Sequence, residues 1–144
     1  VKALSIRQPW CWFILADFPW QKCYENRNWD ESYLRAQLSL CPVGSDFLIH
    51  ASKGMTQAEF DEACAFAVRA GANLTPRFDD LKRGGIVGIV RLDGVVKEVE
   101  SPWFTGPIAL RLKAAYPLPF VPCNGALGFF DFAPLPVERG EALA

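Results

Sequence analysis

Lys22, Glu25 and Arg27 place two cations and one carboxylate within a six-residue stretch. A carboxylate held between cations can fix both while they meet an anionic ligand. The same Lys22 and Glu25 would serve as base and acid in a hydrolase, provided burial moved one of them toward neutral pH. On an unbent strand Lys22 points opposite to Glu25 and Arg27, so a shared pocket requires a bend near Cys23 and Tyr24. The plainer reading of the three is a surface ion pair worth ~0–1 kcal/mol.

Three further groups carry chemistry. His50 and Ser52 share one face of an expected strand with Lys53 at its end, so His50 can donate to a phosphate or act as a general acid or base near neutral pH. Its plainer role is that of a satisfied structural histidine. Arg7 lies between Ser5 and Gln8 at a strand-to-helix turn, where backbone N–H groups favour an anion; Gln8 can equally serve only as the helix cap. Trp10 and the Trp103-Phe104 pair can stack a base, the usual way single strands are read, at ~1–3 kcal/mol per base. Trp10 also fits the buried face of the first helix. Trp103, in a loop bounded by Pro102 and Gly106, suits packing as well as stacking. Nothing positions an acid beside His50 for a triad, and Gly84-Gly85 lacks the spacing of a phosphate loop.

Composition narrows the field. The chain has 144 residues and a formal net charge of −1, far less basic than proteins that grip duplex nucleic acid by its phosphates. Any nucleic-acid role therefore rests on a local pocket. Cys11, Cys23, Cys41, Cys64 and Cys123 are odd in number and form no CxxC pair, which suits a reducing compartment rather than a disulfide framework. With one His and no close Cys pair, no metal site is expected, and no cofactor. No signal peptide and no membrane-spanning apolar run is read. The expectation is a cytoplasmic protein, with a monomer favoured.

The elements that must position these residues follow from periodicity. Lys2 to Ile6 reads as a strand. Pro9 opens a helix at its first position, with Trp10, Phe13, Ile14 and Phe18 on one face and Pro19 as its stop. Lys22 to Trp29 reads as extended, and residues 30–45 as an irregular excursion. Phe47 to Ala51 is a strand with Phe47, Ile49 and Ala51 on one face. Thr56 and Glu59 form a capping box, Met55 and Phe60 its hydrophobic staple. Phe60, Ala63, Cys64 and Ala67 give that helix a buried stripe, and Gly71 ends it. Residues 72–84 read as loop. Ile86 to Leu92, nearly all apolar, predicts a strand covered on both faces that runs on to Val99. Ile108 to Lys113 alternates as a strand with one face toward solvent, and Gly125 to Phe132 closes the set. These elements predict an α+β chain: a partly closed β-barrel of five or six strands with two or three flanking helices, one domain over residues 1–133, and a tail over 134–144.

Six segments in order make the chain resemble the ASCH family of PUA-like domains. They are Ala3 to Trp10 (ALSIRQPW), Lys22 with Glu25-Asn26-Arg27 and Trp29, Ile49 to Gly54 (IHASKG), Gly84 to Gly88, Ser101 to Phe104 with Gly106-Pro107, and Gly125 to Phe130. The resemblance runs from residue 3 to about residue 133. It implies a PUA-like barrel with a cleft where the QPW, KxxE and HAS segments meet, and a ligand that is RNA, another nucleic acid or a nucleotide. Arg7, Lys22 and Arg27 would meet anionic groups, Glu25 would orient them, Trp103 would stack, and Gln8 or Ser52 would hydrogen-bond a base edge. Some members are enzymes: one branch resembles an amidohydrolase acting on 4-acetylcytidine, and others are associated with ribonuclease activity. That amidohydrolase branch carries Lys-x-x-Thr, whereas the spacing here is Lys22-x-x-Glu25, without the hydroxyl nucleophile. A small-metabolite or protein-interaction module on the same barrel is a third reading, because fold does not fix function.

Overall fold

The structure is a computed structural model and describes residues 1–132. In chain order the elements are β1 (Lys2–Ile6), α1 (Trp10–Leu15), β2 (Tyr24–Arg27), α2 (Glu31–Leu40), β3 (Asp46–Ala51), α3 (Gln57–Arg69), a 3-10 turn (Phe78–Asp80), β4 (Gly85–Val96), β5 (Ile108–Pro122) and β6 (Phe129–Asp131). The six strands make one sheet in the order β2-β5-β4-β3-β1-β6, curled into a half-barrel. The β1–β3 pairing is parallel and the other pairings are antiparallel, so the sheet is mixed. The α+β half-barrel expected from the sequence is therefore present.

The sheet curls because its longest pair does not run straight. Register shifts interrupt β4–β5 at three places, between Ile86 and Gly88, Ile89 and Arg91, and Leu92 and Gly94. Each bulge raises the local twist and bends the strand. Gly88 sits at one of them with no room to spare, since a Cβ there would lie 2.5 Å from Leu15. Inside the curl, Leu4, Ile6, Phe47, Ile49, Val90, Leu92 and Leu110 form the main core with Ile14 of α1. Leu48 joins a second cluster with Ala3, Ile86 and Ile89. β3 is therefore buried on both faces, as a strand between parallel and antiparallel neighbours in a covered sheet tends to be.

α3 matches its sequence signals closely. Thr56 Oγ1 accepts from Glu59 N at 3.1 Å, and Glu59 Oε1 accepts from Thr56 N at 2.8 Å. Met55 and Phe60 share a small cluster with Leu81. Phe60, Ala63 and Ala67 are buried, Cys64 is partly so, and Gly71 leaves the helix at φ +112°.

Five expectations change. Residues 30–45 are not irregular, because they hold α2. Asp30 caps it by accepting from Tyr33 N at 2.8 Å, and Leu34 and Gln37 face inward. A polar Gln at a core position hid the period: Gln37 Oε1 accepts from Phe129 N at 2.6 Å and so ties α2 to β6. α1 is shorter than expected, with Pro9 as N-cap, and ends when Ala16 turns extended at ψ 122°. Phe18 thus leaves the buried face and stacks on Trp20 at 5.0 Å. β4 stops at Val96, while β5 runs well past Lys113 to Pro122. The last strand is only Phe129–Asp131, with Gly125 to Gly128 in a loop. The tail over 134–144 lies outside the described residues.

Candidate functional site

The required bend lies just before β2. Lys22 N donates to Phe13 O at 3.1 Å and Leu112 N donates to Cys23 O at 2.8 Å, which pins the chain between α1 and β5. The turn swings the Lys22 side chain back so that Nζ donates to Tyr24 O and lies 3.6 Å from Glu25 Oε1. Glu25 Oε2 lies 3.0 Å from Arg27 Nη2, an ion pair. Arg27 Nη2 also donates to Ser5 O at 2.9 Å, and its guanidinium lies 5.5 Å from the Trp29 ring. Glu25 therefore lies between the two cations. Lys22 is 4% exposed and Glu25 8%, so these charges are held by one another rather than by water. Burial pulls the Lys22 ammonium below the usual lysine value, against the pull of Glu25, which favours the charged form.

Beside this chain of charges opens a cavity of about 430 Å³. Lys22, Glu25 and Asn26 line it from β2 and the residues before it, Trp10 and Gln8 from the start of α1, Phe66 from α3, and Trp103 from the loop after β4. Asn26 fixes that loop: its Nδ2 donates to Trp103 O at 2.9 Å, and its Oδ1 accepts from Thr105 N and Gly106 N at 2.9 and 3.1 Å. Trp103 packs on Phe13 and Phe66 and donates from Nε1 to Trp20 O at 3.0 Å. It is 4% exposed, so it forms part of the wall and is not a free platform. Lys22 Nζ lies 5.5 Å from the Trp10 ring.

The rim is charged. Arg7 Nη2 donates to both carboxylate oxygens of Glu59, at 2.8 and 3.0 Å. Glu59 is the capping-box residue of α3, and the Thr56 N–H, with Arg7 second, holds its carboxyl below the usual carboxylate range. Glu62 and Arg69 complete the α3 side of the rim. Gln8 closes one wall, with Oε1 accepting from Trp12 N at 3.1 Å and Nε2 donating to Lys82 O at 3.0 Å. Its carboxamide thus caps α1 and also lines the cavity.

The structure brings together Arg7, Gln8, Trp10, Lys22, Glu25 and Trp103 around one space. Arg27 stands behind Glu25 and does not line it. Neither do His50, Ser52 and Lys53. His50 is 3% exposed; its Nε2 lies 2.9 Å from Cys123 O and its Nδ1 2.9 Å from Ser5 Oγ. A carbonyl only accepts, so in the neutral ring Nε2 carries the hydrogen and Nδ1 accepts from the Ser5 hydroxyl. Ser52 N donates to Ile6 O, and the Lys53 stem lies against Gly84 at the surface. The sequence reading passed over Asn26, Phe66 and the α3 rim. Glu59, Glu62, Phe66 and Arg69 are spaced by three and four residues on one helix face, a pattern that becomes informative once α3 is known to flank the cavity.

Among the described residues, no group of three His, Cys, Asp or Glu side chains is placed to hold a metal, and the five cysteines are unpaired. No helix among them is long and apolar enough to cross a membrane. A scan against protein-family models finds no match to this chain, and a search of curated proteins finds no similar sequence.

Proposed function

We propose that this chain is an ASCH-type binding module of the PUA-like class whose cavity receives the base of a nucleotide or of a nucleic acid, in the cytoplasm and without a metal. The observation that carries the reading is the pairing of an aromatic wall (Trp10, Phe66, Trp103) with three fixed polar side chains (Lys22, Glu25, Asn26) in one cavity. A volume of about 430 Å³ lies within the ~300–1,000 Å³ range of small-ligand sites. Trp10 and Phe66, the part-buried rings of that wall, offer stacking to a flat ring, and Lys22 and Glu25 offer a donor and an acceptor to its edge. The lining charges balance, with Arg7, Lys22 and Arg69 against Glu25, Glu59 and Glu62. That balance favours recognition of a base over a grip on several phosphates.

Titration calorimetry with a panel of nucleosides, plain and modified, tests this. A saturable complex in the native protein, weakened at least tenfold in Lys22→Ala, is the expected result. Native protein that binds neither the nucleosides nor single-stranded RNA would end the reading.

One observation favours a second reading, that of an amidohydrolase on a modified nucleoside. Burial lowers the Lys22 ammonium from the usual lysine value, which favours the neutral amine that a general base must be. Glu25 beside it would hold the ammonium so formed, which passes that proton to the leaving group. Chromatography of the same mixtures separates the readings, because deacylated or cleaved product appears only if the site is catalytic.

A further inference from the structure

Gln8 is the wall between two cavities. On its other side lies a second space of about 390 Å³, lined by Trp12, Leu15, Phe18, Leu118 and Phe120 with Lys82 at the mouth. Phe18 is 43% exposed at the edge of this apolar hollow, with one ring face stacked on Trp20. Lys82 Nζ stands 5.7 Å from the Phe120 ring. Among the described residues, the one carboxylate that lines this space, Asp80, has Arg77 at 4.0 Å.

Four cations lie near one another beside Gln8. The Arg7 guanidinium lies so close over Gly54 that a Cβ there would be 3.1 Å from Nη1, and Lys53 Cγ would stand 3.0 Å from a Cβ on Gly84. Arg83 Nη1 donates to Lys53 O at 3.0 Å, and Lys82 O accepts from Gln8. Arg7, Lys53, Arg83 and Lys82 are thus neighbours around Gln8 and Gly84, with Arg7 lining the first cavity and Lys82 the second. Among the described residues, Lys53, Lys82 and Arg83 have no carboxylate within ion-pair distance. In a protein with net charge −1, three such cations close together, one of them lining the second cavity, form a local feature that whole-chain charge conceals.

We infer that the second cavity is a second base subsite, and that the ligand is a single nucleic-acid strand of two or more nucleotides lying across Gln8. The inference rests on the first cavity taking a base. Flat apolar groups on either side of a repeating anion are what this surface complements: rings stack in the two hollows, and the phosphates between them run along Lys53, Arg83 and Lys82. Aromatic stacking is tolerant of sequence because every base has a π-face. The second subsite therefore adds affinity without adding much base selectivity.

The test is anisotropy of fluorescein-labelled single-stranded RNA of random sequence, from one to six nucleotides. Native protein, Phe18→Ala and Lys82→Ala are compared, with thermal melts to establish that the variants fold. In native protein the trinucleotide should bind roughly five- to a hundred-fold more tightly than the mononucleotide, the contribution of one further stacked base. Phe18→Ala should bring that ratio close to one. Lys82→Ala should reduce the slope of log affinity against log salt by about 0.7, the effect of one phosphate contact on a single strand. Mononucleotide binding with no gain from length would overturn the second subsite and leave the first-cavity reading intact. A gain that survives both substitutions would also overturn it. Failure of every length to bind native protein would remove both readings together.

Discussion

Two places in this molecule bury polar side chains at the ends of strands, and they do so differently. At the mouth of the first cavity, Lys22 and Glu25 are buried beside an open space. At the ends of β1 and β3, Ser5 and His50 are bonded to each other, His50 also donates to Cys123 O, and Gly125 fills the space over them. A Cβ on Gly125 would stand 2.4 Å from Ser5 Oγ and 2.7 Å from His50 Cε1, so that cluster has no room for a ligand. In residue type alone the Ser5–His50 pair looks the more reactive of the two. What separates them is unfilled volume beside the polar atoms. Both ring nitrogens of His50 are occupied within the fold, whereas the Lys22–Glu25 pair has a wall open to a ligand. A binding site needs both fixed polar groups and space for a partner; a latch needs only the first.

The largest expected effect would sharpen this contrast at the charged cluster. Glu25→Gln leaves the buried Lys22 and the part-buried Arg27 without their carboxylate, and should cost about 3–5 kcal/mol of stability, measured by urea denaturation. A loss under about 1 kcal/mol would mean that water already shares these charges and that the cluster belongs to the surface.

A smaller effect is expected at the latch. His50→Ala leaves the Cys123 carbonyl and the Ser5 hydroxyl without their partner, which should cost about 1–3 kcal/mol, while nucleoside binding stays as in the native protein. Lost binding with retained stability would reverse the comparison, making His50 part of the site.

The smallest effect concerns pH. The folded-state pKa of Lys22 lies below the ordinary 10.5. Between those two values the unfolded chain binds more protons than the folded protein, so stability rises with pH across that window. The rise is bounded by about 1.4 kcal/mol per pH unit for a single group. Lys22→Met should flatten it, with Glu25 still paired to Arg27. Denaturation midpoints from pH 7 to 10 in the presence of a reductant check this. Parallel curves for the native and Met forms would show that Lys22 is not desolvated.

Much of the framework is readable along the chain, for reasons of local chemistry. The capping box of α3 involves residues three apart, and its geometry needs no distant partner. The apolar run Ile86 to Leu92 announces a covered strand for the same reason. α2 was missed because its inward position at Gln37 is polar, and only β6, ninety-two residues later in the chain, explains it. Phe18 was misplaced because nothing local signals that α1 ends at Leu15 before reaching it.

The candidate site divides along the same line. By itself the sequence determined which side chains were chemically capable, Lys22, Glu25, Arg7 and the tryptophans among them, and it determined that a bend must precede Tyr24 if Lys22 and Glu25 were to meet. Tertiary structure alone decided that Arg27 stands behind Glu25, that His50 is closed in by Gly125, and that Asn26, Phe66 and the α3 rim belong to the cavity. The physical reason is that hydrophobic period and capping are properties of neighbours in the chain. A cavity is the space left where the β1–α1 turn, β2, α3 and the loop carrying Trp103 fail to fill the gap between them, and its outline depends on how all four pack.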